Sequence, residues 1–205
     1  MLLQQRKTMN TKYIYNKRIF TPSLFVRETT ELFRKFGAIK YSFRRQGIDH
    51  RFRERIMLSA TKVNGCRYCS YGHTKAALAS GISQIEIDEL MKSEYSNIPE
   101  YELKAILFAQ HYAENLGKYD HIPWQNLIDN YGTDTVSDIL ASIRLIMIGN
   151  LCGNTLDALY FRMKGYTIPQ SNFFKELLVI LLMITYLPVI MIVALIIKKS
   201  EPIVL

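Results

Sequence analysis

Glu54-Arg-Ile-Met-Leu-Ser-Ala-Thr-Lys-Val-Asn-Gly-Cys66-Arg-Tyr-Cys69-Ser-Tyr-Gly-His73 is the stretch around which the rest of the chain is read. Its first half continues an apolar stripe, Phe52, Ile56, Ala60 and Val63, at spacings of four and three, and Asp49 is placed to cap the helix this predicts. Asn64-Gly65 breaks that helix immediately before the first cysteine. A new helix from about Cys66 to Ser80 would carry Cys66, Cys69 and His73 on one face, because positions three and four apart stack. Its small residues, Ala76, Ala77, Ala79 and Ser80, let another helix come close, and Gly81 closes it. A C-x-x-C lying between helices, not after a strand, argues against a thioredoxin-like βαβ unit.

Outward from this centre the pattern stays helical. Thr21-Pro22 opens an amphipathic helix through Phe25, Thr29, Leu32, Phe36, Ile39 and Phe43, which Gly47 ends. Ser83 caps Gln84–Lys92, with Glu86 completing a capping box. Pro99 opens a helix with Leu103, Ile106, Leu107, Gln110 and Ala113 as its stripe, stopped by Gly117. A short helix starts near Pro123 and ends before Gly132, and a long one follows from Thr133 to about Lys164. No alternating β-branched run stands out before residue 170, so the fold class is all-α. The expected order is a basic arm over residues 1–20, weakly ordered; a helical domain over 21–165; a linker over 166–176; an apolar segment over 177–197; and a tail over 198–205.

Leu177–Ile197 is almost unbroken in its apolar character. Its length corresponds to roughly 31 Å of helix against a hydrocarbon core of roughly 30 Å, Pro188 is tolerable within it, and Lys175 and Lys198-Lys199 bracket it. The expected partner is therefore a membrane. Met1-Leu-Leu-Gln-Gln-Arg-Lys7 has no sustained apolar core, so no signal peptide is expected. The reading is a single-pass C-terminal anchor with the globular part in the cytoplasm. Residues 1–55 hold fourteen basic and four acidic side chains, so most of the net +8 is local. This basic region agrees with a cytoplasmic, positive-inside placement; no nucleic-acid partner is expected.

Three chemistries compete for the Cys–Cys–His–Glu group. Structural zinc wants four ligands, and no second C-x-x-C supplies them. Burial of small apolar thiols is the plain structural alternative. Thiol redox catalysis needs a low-pKa sulfur to attack and a second to resolve the product, and C-x-x-C supplies both. His73, one turn beyond Cys69, is placed to take its proton, and Glu54 from the preceding helix is the candidate carboxylate behind the imidazole. Cys152, between Gly149 and Gly153, reads as a packed core cysteine, and the two glycines as sites of close helix approach, within or between subunits. His111 and His121 read as structural or surface groups, and Trp124 as a core or interface anchor.

Glu54, Cys66, Cys69 and His73, with Asn-Gly-Cys-x-Tyr-Cys-x-x-Gly-His-Thr-x-x-Ala and a following Gly-Ile-Ser helix start, resemble the active-site signature of the AhpD-like alkylhydroperoxidases. These belong to the carboxymuconolactone decarboxylase superfamily. The resemblance is specific over residues 50–92 and looser through Lys104-Ala-Ile-Leu-Phe-Ala and the helix with Asn150 and Asn154, to about residue 165. It implies an AhpD-like helical bundle in which Cys69 attacks a hydroperoxide substrate, Cys66 condenses with the resulting sulfenic acid, and Glu54 and His73 relay protons. It also implies no bound cofactor or metal, an external dithiol reductant such as a lipoyl group, and a homo-oligomer, trimeric or larger. One position departs from the best-known members: Tyr68 stands where they carry a histidine, and a tyrosine cannot accept a proton near neutral pH. Two other functions are compatible with such a fold. One is a membrane-associated binding or assembly protein without catalysis. The other is a decarboxylase-like lyase, against which the cysteine pair argues.

Overall fold

The helix capped by Asp49, whose carboxylate accepts from the Phe52 amide at 2.7 Å, is the axis of the molecule. A computed structural model describes residues 15–45 and 47–197, and among these it contains eight helices and no strand. They are α1 (Pro22–Arg34), α2 (Phe36–Arg45), α3 (His50–Asn64), α4 (Arg67–Ala79), α5 (Gln84–Lys92), α6 (Glu100–Glu114), α7 (His121–Met163) and α8 (Phe173–Ile197). Every residue of α3 from Glu54 to Thr61 is buried, because α4, α5, α6 and α7 all pack on it. Its two charged side chains there need partners. Arg55 finds Glu86 of α5 at 2.5 Å and Glu102 of α6 at 2.9 Å, and Glu54 finds His73 of α4. The core joins Phe52, Ile56 and Ala60 of α3 to Phe108 and Tyr112 of α6 and to Trp124, Ile139, Leu140 and Ile143 of α7. Trp124 is thus a core residue, packed on Tyr119 with ring centroids 4.8 Å apart.

One expected helix differs. The helix from Pro22 onward bends at Lys35, whose backbone (φ −97°, ψ 8°) leaves the helical path and hydrogen-bonds back to Leu32 and Phe33. The bend keeps both Leu32 and Ile39 in the core, an advantage that the unbroken spacing of apolar residues does not reveal. The break expected between the short helix near Pro123 and the long one after it is present: Gly132 (φ 71°, ψ 159°) leaves helical geometry and kinks α7 into two helical parts.

The segment before α1 is not a loose arm over its described part. Tyr15, Ile19 and Phe20 are buried, the Tyr15 hydroxyl donates to the Asn154 carbonyl at 2.5 Å, and Gln170 donates to the Tyr15 and Lys17 carbonyls. The expectations for residues 1–14 and for the tail 198–205, including Lys198-Lys199, lie outside the described residues.

Among the described residues two helices are long and apolar enough to cross a membrane. In α7 most of that apolar window is buried inside the domain, as befits a core helix. In α8, which begins at Phe173, the window has a mean hydropathy of 2.9 and only 6% of it is buried. The apolar C-terminal helix anticipated from Leu177–Ile197 is therefore present and is a candidate membrane span.

Candidate active site

Gly65, at φ 66°, ends α3 in the left-handed region that asparagine-glycine pairs favour, and the chain re-enters helix at once. Cys66 caps α4: its sulfur accepts from the Cys69 amide at 3.2 Å, so the first sulfur sits on the unsatisfied N–H groups of a helix start. Cys66 and Cys69 have Cα atoms 5.4 Å apart, and their sulfurs stand at disulfide distance. Cys66 is buried, whereas Cys69 is partly open to solvent.

His73 follows Cys69 by one turn of α4, and its Nδ1 lies 2.7 Å from Glu54 Oε2. Glu54 is buried and His73 about a quarter exposed, so the carboxylate fixes the ring from the inside while its other edge faces outward. Such a pair holds an imidazole in one orientation and tautomer. The structure thereby pairs Glu54 with His73 and Cys66 with Cys69, the four residues singled out by spacing, on α3 and α4. Tyr68 is nearby but apart from the pair: it is half exposed, and its hydroxyl accepts from Arg67 at 2.9 Å.

Several contributors were not assigned to the site from the sequence. Gly153 of α7 lies beneath the turn, where a Cβ would come 2.6 Å from the Cys66 sulfur and 3.6 Å from that of Cys69. The close approach expected at Gly153 is thus made inside the chain, while Gly149 faces nothing within 4 Å. Arg67 is held by the buried Asp157 at 2.6 Å, and the other oxygen of Asp157 takes Lys17 at 2.9 Å. The Arg67 guanidinium pKa is raised, first by its hydrogen bond with Tyr68 and also by Asp157. Asn154, fully buried, donates to the carbonyls of Asn64 (2.8 Å) and Arg18 (3.0 Å), and Thr61 donates to Asn150 at 3.0 Å. These asparagines fix the backbone just ahead of Cys66. His50, four residues before Glu54 on α3, places Nε2 3.8 Å from Glu54 Oε1 and is mostly exposed. The His-x-x-x-Glu spacing was its available signal.

Among the described residues no three His, Cys, Asp or Glu side chains cluster to hold a metal ion. Cys152 packs on the side of α7 toward α8, and burial pushes its thiol up to about 12. It is partly buried beside Phe20, Phe25, Leu151 and Val179, the packed position expected of it. A cavity of about 330 Å³, lined by apolar side chains and by charged ones such as Arg18, Glu31 and Arg144, lies between α1, α2, α6 and α7, but neither Cys66 nor Cys69 lines it.

The helix–turn–helix with its cysteine pair and histidine backed by a carboxylate invites a family comparison. Residues 27–96 match the carboxymuconolactone decarboxylase family. This is the superfamily of the AhpD-like proteins, and the matched stretch runs from α1 through α5, so it contains Glu54, Cys66, Cys69 and His73. The floor of the site (Gly153, Asn154 and Asp157) and α8 lie beyond the part matched to the carboxymuconolactone decarboxylase family. No curated protein and no solved structure matches the chain.

Proposed function

We propose that the protein is a thiol-dependent hydroperoxidase of the AhpD type, cycling Cys66 and Cys69 between dithiol and disulfide. The observation that supports this most is the 2.7 Å pairing of His73 with buried Glu54 one turn from a cysteine pair at disulfide distance. His73 takes the Cys69 proton. The Cys69 thiolate attacks the terminal oxygen of a hydroperoxide ROOH, the O–O bond breaks, and the departing alkoxide receives a proton from His73 to leave as ROH. Cys69 is then a sulfenic acid. The Cys66 sulfur attacks it, forming the S–S bond, and the displaced hydroxide leaves as water with the Cys66 proton. An external dithiol such as a dihydrolipoyl group returns the pair to two thiols by exchange and is itself oxidised to a disulfide.

The partial burial of Cys69 against the full burial of Cys66 supports the division of labour, since the attacking sulfur must meet substrate and the resolving one need not. Tyr68, engaged with Arg67, leaves the relay to Glu54 and His73. The catalytic domain is placed on the cytoplasmic side of a membrane to which α8 anchors it. The test is hydroperoxide consumption by the full chain with dihydrolipoamide as donor. Cys69→Ser abolishes turnover on this reading, and full turnover by that variant would refute it.

A further inference from the structure

Arg18 is a cation that the fold holds in place and leaves without a counterion. Its backbone is pinned from two sides: Asn154 donates to the Arg18 carbonyl at 3.0 Å, and Gln170 donates to that of Lys17. Ile19 and Phe20, which follow, are buried. The neighbouring Lys17 has its carboxylate, Asp157 at 2.9 Å. Arg18 has none. Its side chain is partly buried, yet among the described residues its guanidinium makes no hydrogen bond or ion pair, and Glu28 acts on it only at a distance. Burial lowers its pKa more than Glu28 raises it, the mark of a guanidinium that has lost water without gaining a partner. Arginine stays charged under such a shift.

Arg18 lines the cavity between α1, α2, α6 and α7, whose wall is apolar and buried at Phe20, Leu32, Ile39, Met147 and Leu151. Two further cations, Lys35 and Arg144, line it, Arg144 with Nε 3.4 Å from the Tyr112 hydroxyl. The carboxylates on the same wall, Glu28 and Glu31, are each taken by an arginine of α1: Glu28 by Arg27 at 2.8 Å, and Glu31 by Arg34 at 2.9 Å. Arg18 and Leu116 also line a neighbouring cavity of about 370 Å³ bordered by exposed Asn16, Gly65 and Glu114, so Arg18 stands where the apolar chamber meets a route to solvent. We propose that the chamber is a binding site for an amphipathic monocarboxylate, a medium-chain fatty acid, with its carboxylate on Arg18 and its chain against Phe20, Leu32, Ile39, Met147 and Leu151. A carboxylate supplies the charge-assisted, two-pronged bond that this guanidinium lacks. Apolar walls favour a hydrocarbon chain over water, and a few placed polar groups fix its orientation. A volume of about 330 Å³ holds roughly ten heavy atoms at about 30 Å³ each, a water molecule's share of the liquid, which is the size of octanoate. Because neither cysteine lines the chamber, the site is separate from the C-x-x-C turn and stands apart from the peroxidase reading.

Equilibrium dialysis of the full chain in amphipol against radiolabelled octanoate, with binding to protein-free amphipol subtracted, tests the site. The expected result is one saturable site per chain, from which an equal concentration of 1-octanol or of acetate displaces little octanoate, since each offers only half of what the chamber recognises. Arg18→Met weakens octanoate binding by about 10-fold or more, the scale of a hydrogen-bonded charge pair. Ile148→Phe, which grows into the chamber from α7 and keeps Arg18, abolishes binding and carries the test by itself if Arg18→Met does not fold. Three results would each overturn the proposal: no saturable binding by the wild type, undiminished binding in either folded variant, or displacement by octanol or acetate as effective as by octanoate itself.

Discussion

Gly153 supports Cys66 from below: α7 passes beneath the C-x-x-C turn so closely that a Cβ at Gly153 would stand 2.6 Å from the Cys66 sulfur. The neighbour is a buried atom at a helix cap, with little room to yield. Gly153→Ala is therefore expected to destabilise the protein by about 1–3 kcal/mol, the usual range for overpacking a core. The same substitution made in Cys66→Ala should cost much less, because the clashing sulfur is gone. Urea midpoints of the four proteins measure the coupling; equal costs in both backgrounds would remove Gly153 from the site.

The Glu54–His73 pair predicts an ordered set of kinetic effects. Glu54→Gln keeps a hydrogen-bonding group but replaces the carboxylate that orients the His73 ring. Alkylation of reduced Cys69 by iodoacetamide should slow by about 10-fold or more, and His73→Asn by about 100-fold, within the usual range for general-base assistance. His50 is mostly exposed and 3.8 Å from the same carboxylate, so His50→Asn should leave that rate within about twofold.

Cys152 gives a pH dependence with a definite sign. Burial raises its thiol from 9.0 to about 12, so the folded state holds the proton over a window where the unfolded state releases it. Below pH 9 both states are protonated and nothing is contributed. As pH rises from 9 toward 12 stability is lost, by about 1.4 kcal/mol for each unit above the unfolded value. Thermal unfolding of wild type and Cys152→Ala should differ by a constant amount up to pH 9 and then shift progressively in favour of the variant. A difference that stays flat to pH 11 would contradict the burial of this thiol.

The Arg162–Glu176 pair should be costly to break from one side. Arg162→Met leaves a buried carboxylate without its cation and is expected to destabilise the fold by about 3 kcal/mol or more. Arg162→Met with Glu176→Leu should recover a good part of that loss, and chemical denaturation in detergent measures both.

What the sequence disclosed follows from the range of the forces involved. The α3–α4 turn was legible because Asp49, Asn64-Gly65 and Cys66 each act within a few residues, and the four-residue signature rides on those two helices. The bend at Lys35 is marked by nothing stronger than Gly37 two residues on, and what it achieves, keeping Leu32 and Ile39 in one core, depends on distant helices. Tyr15 and Phe20 look like part of a polar arm, since the groups that bury them, Asn154 and Thr155, lie more than 130 residues away. Asp157 was hidden for the same reason, and Gly153 was legible as a place of close approach but not as the floor under Cys66, because that depends on what α7 crosses. Glu176 looked like the end of a linker until its partner Arg162 was seen.

The central claim is that Cys66 and Cys69 form a catalytic dithiol oxidised by hydroperoxide. Mass spectrometry of the fully reduced protein after one equivalent of cumene hydroperoxide tests it most directly. The account predicts the loss of two hydrogens, located to a peptide pair bridging Cys66 and Cys69, with Cys152 still a free thiol. A reduced pair that survives this treatment unchanged would contradict it.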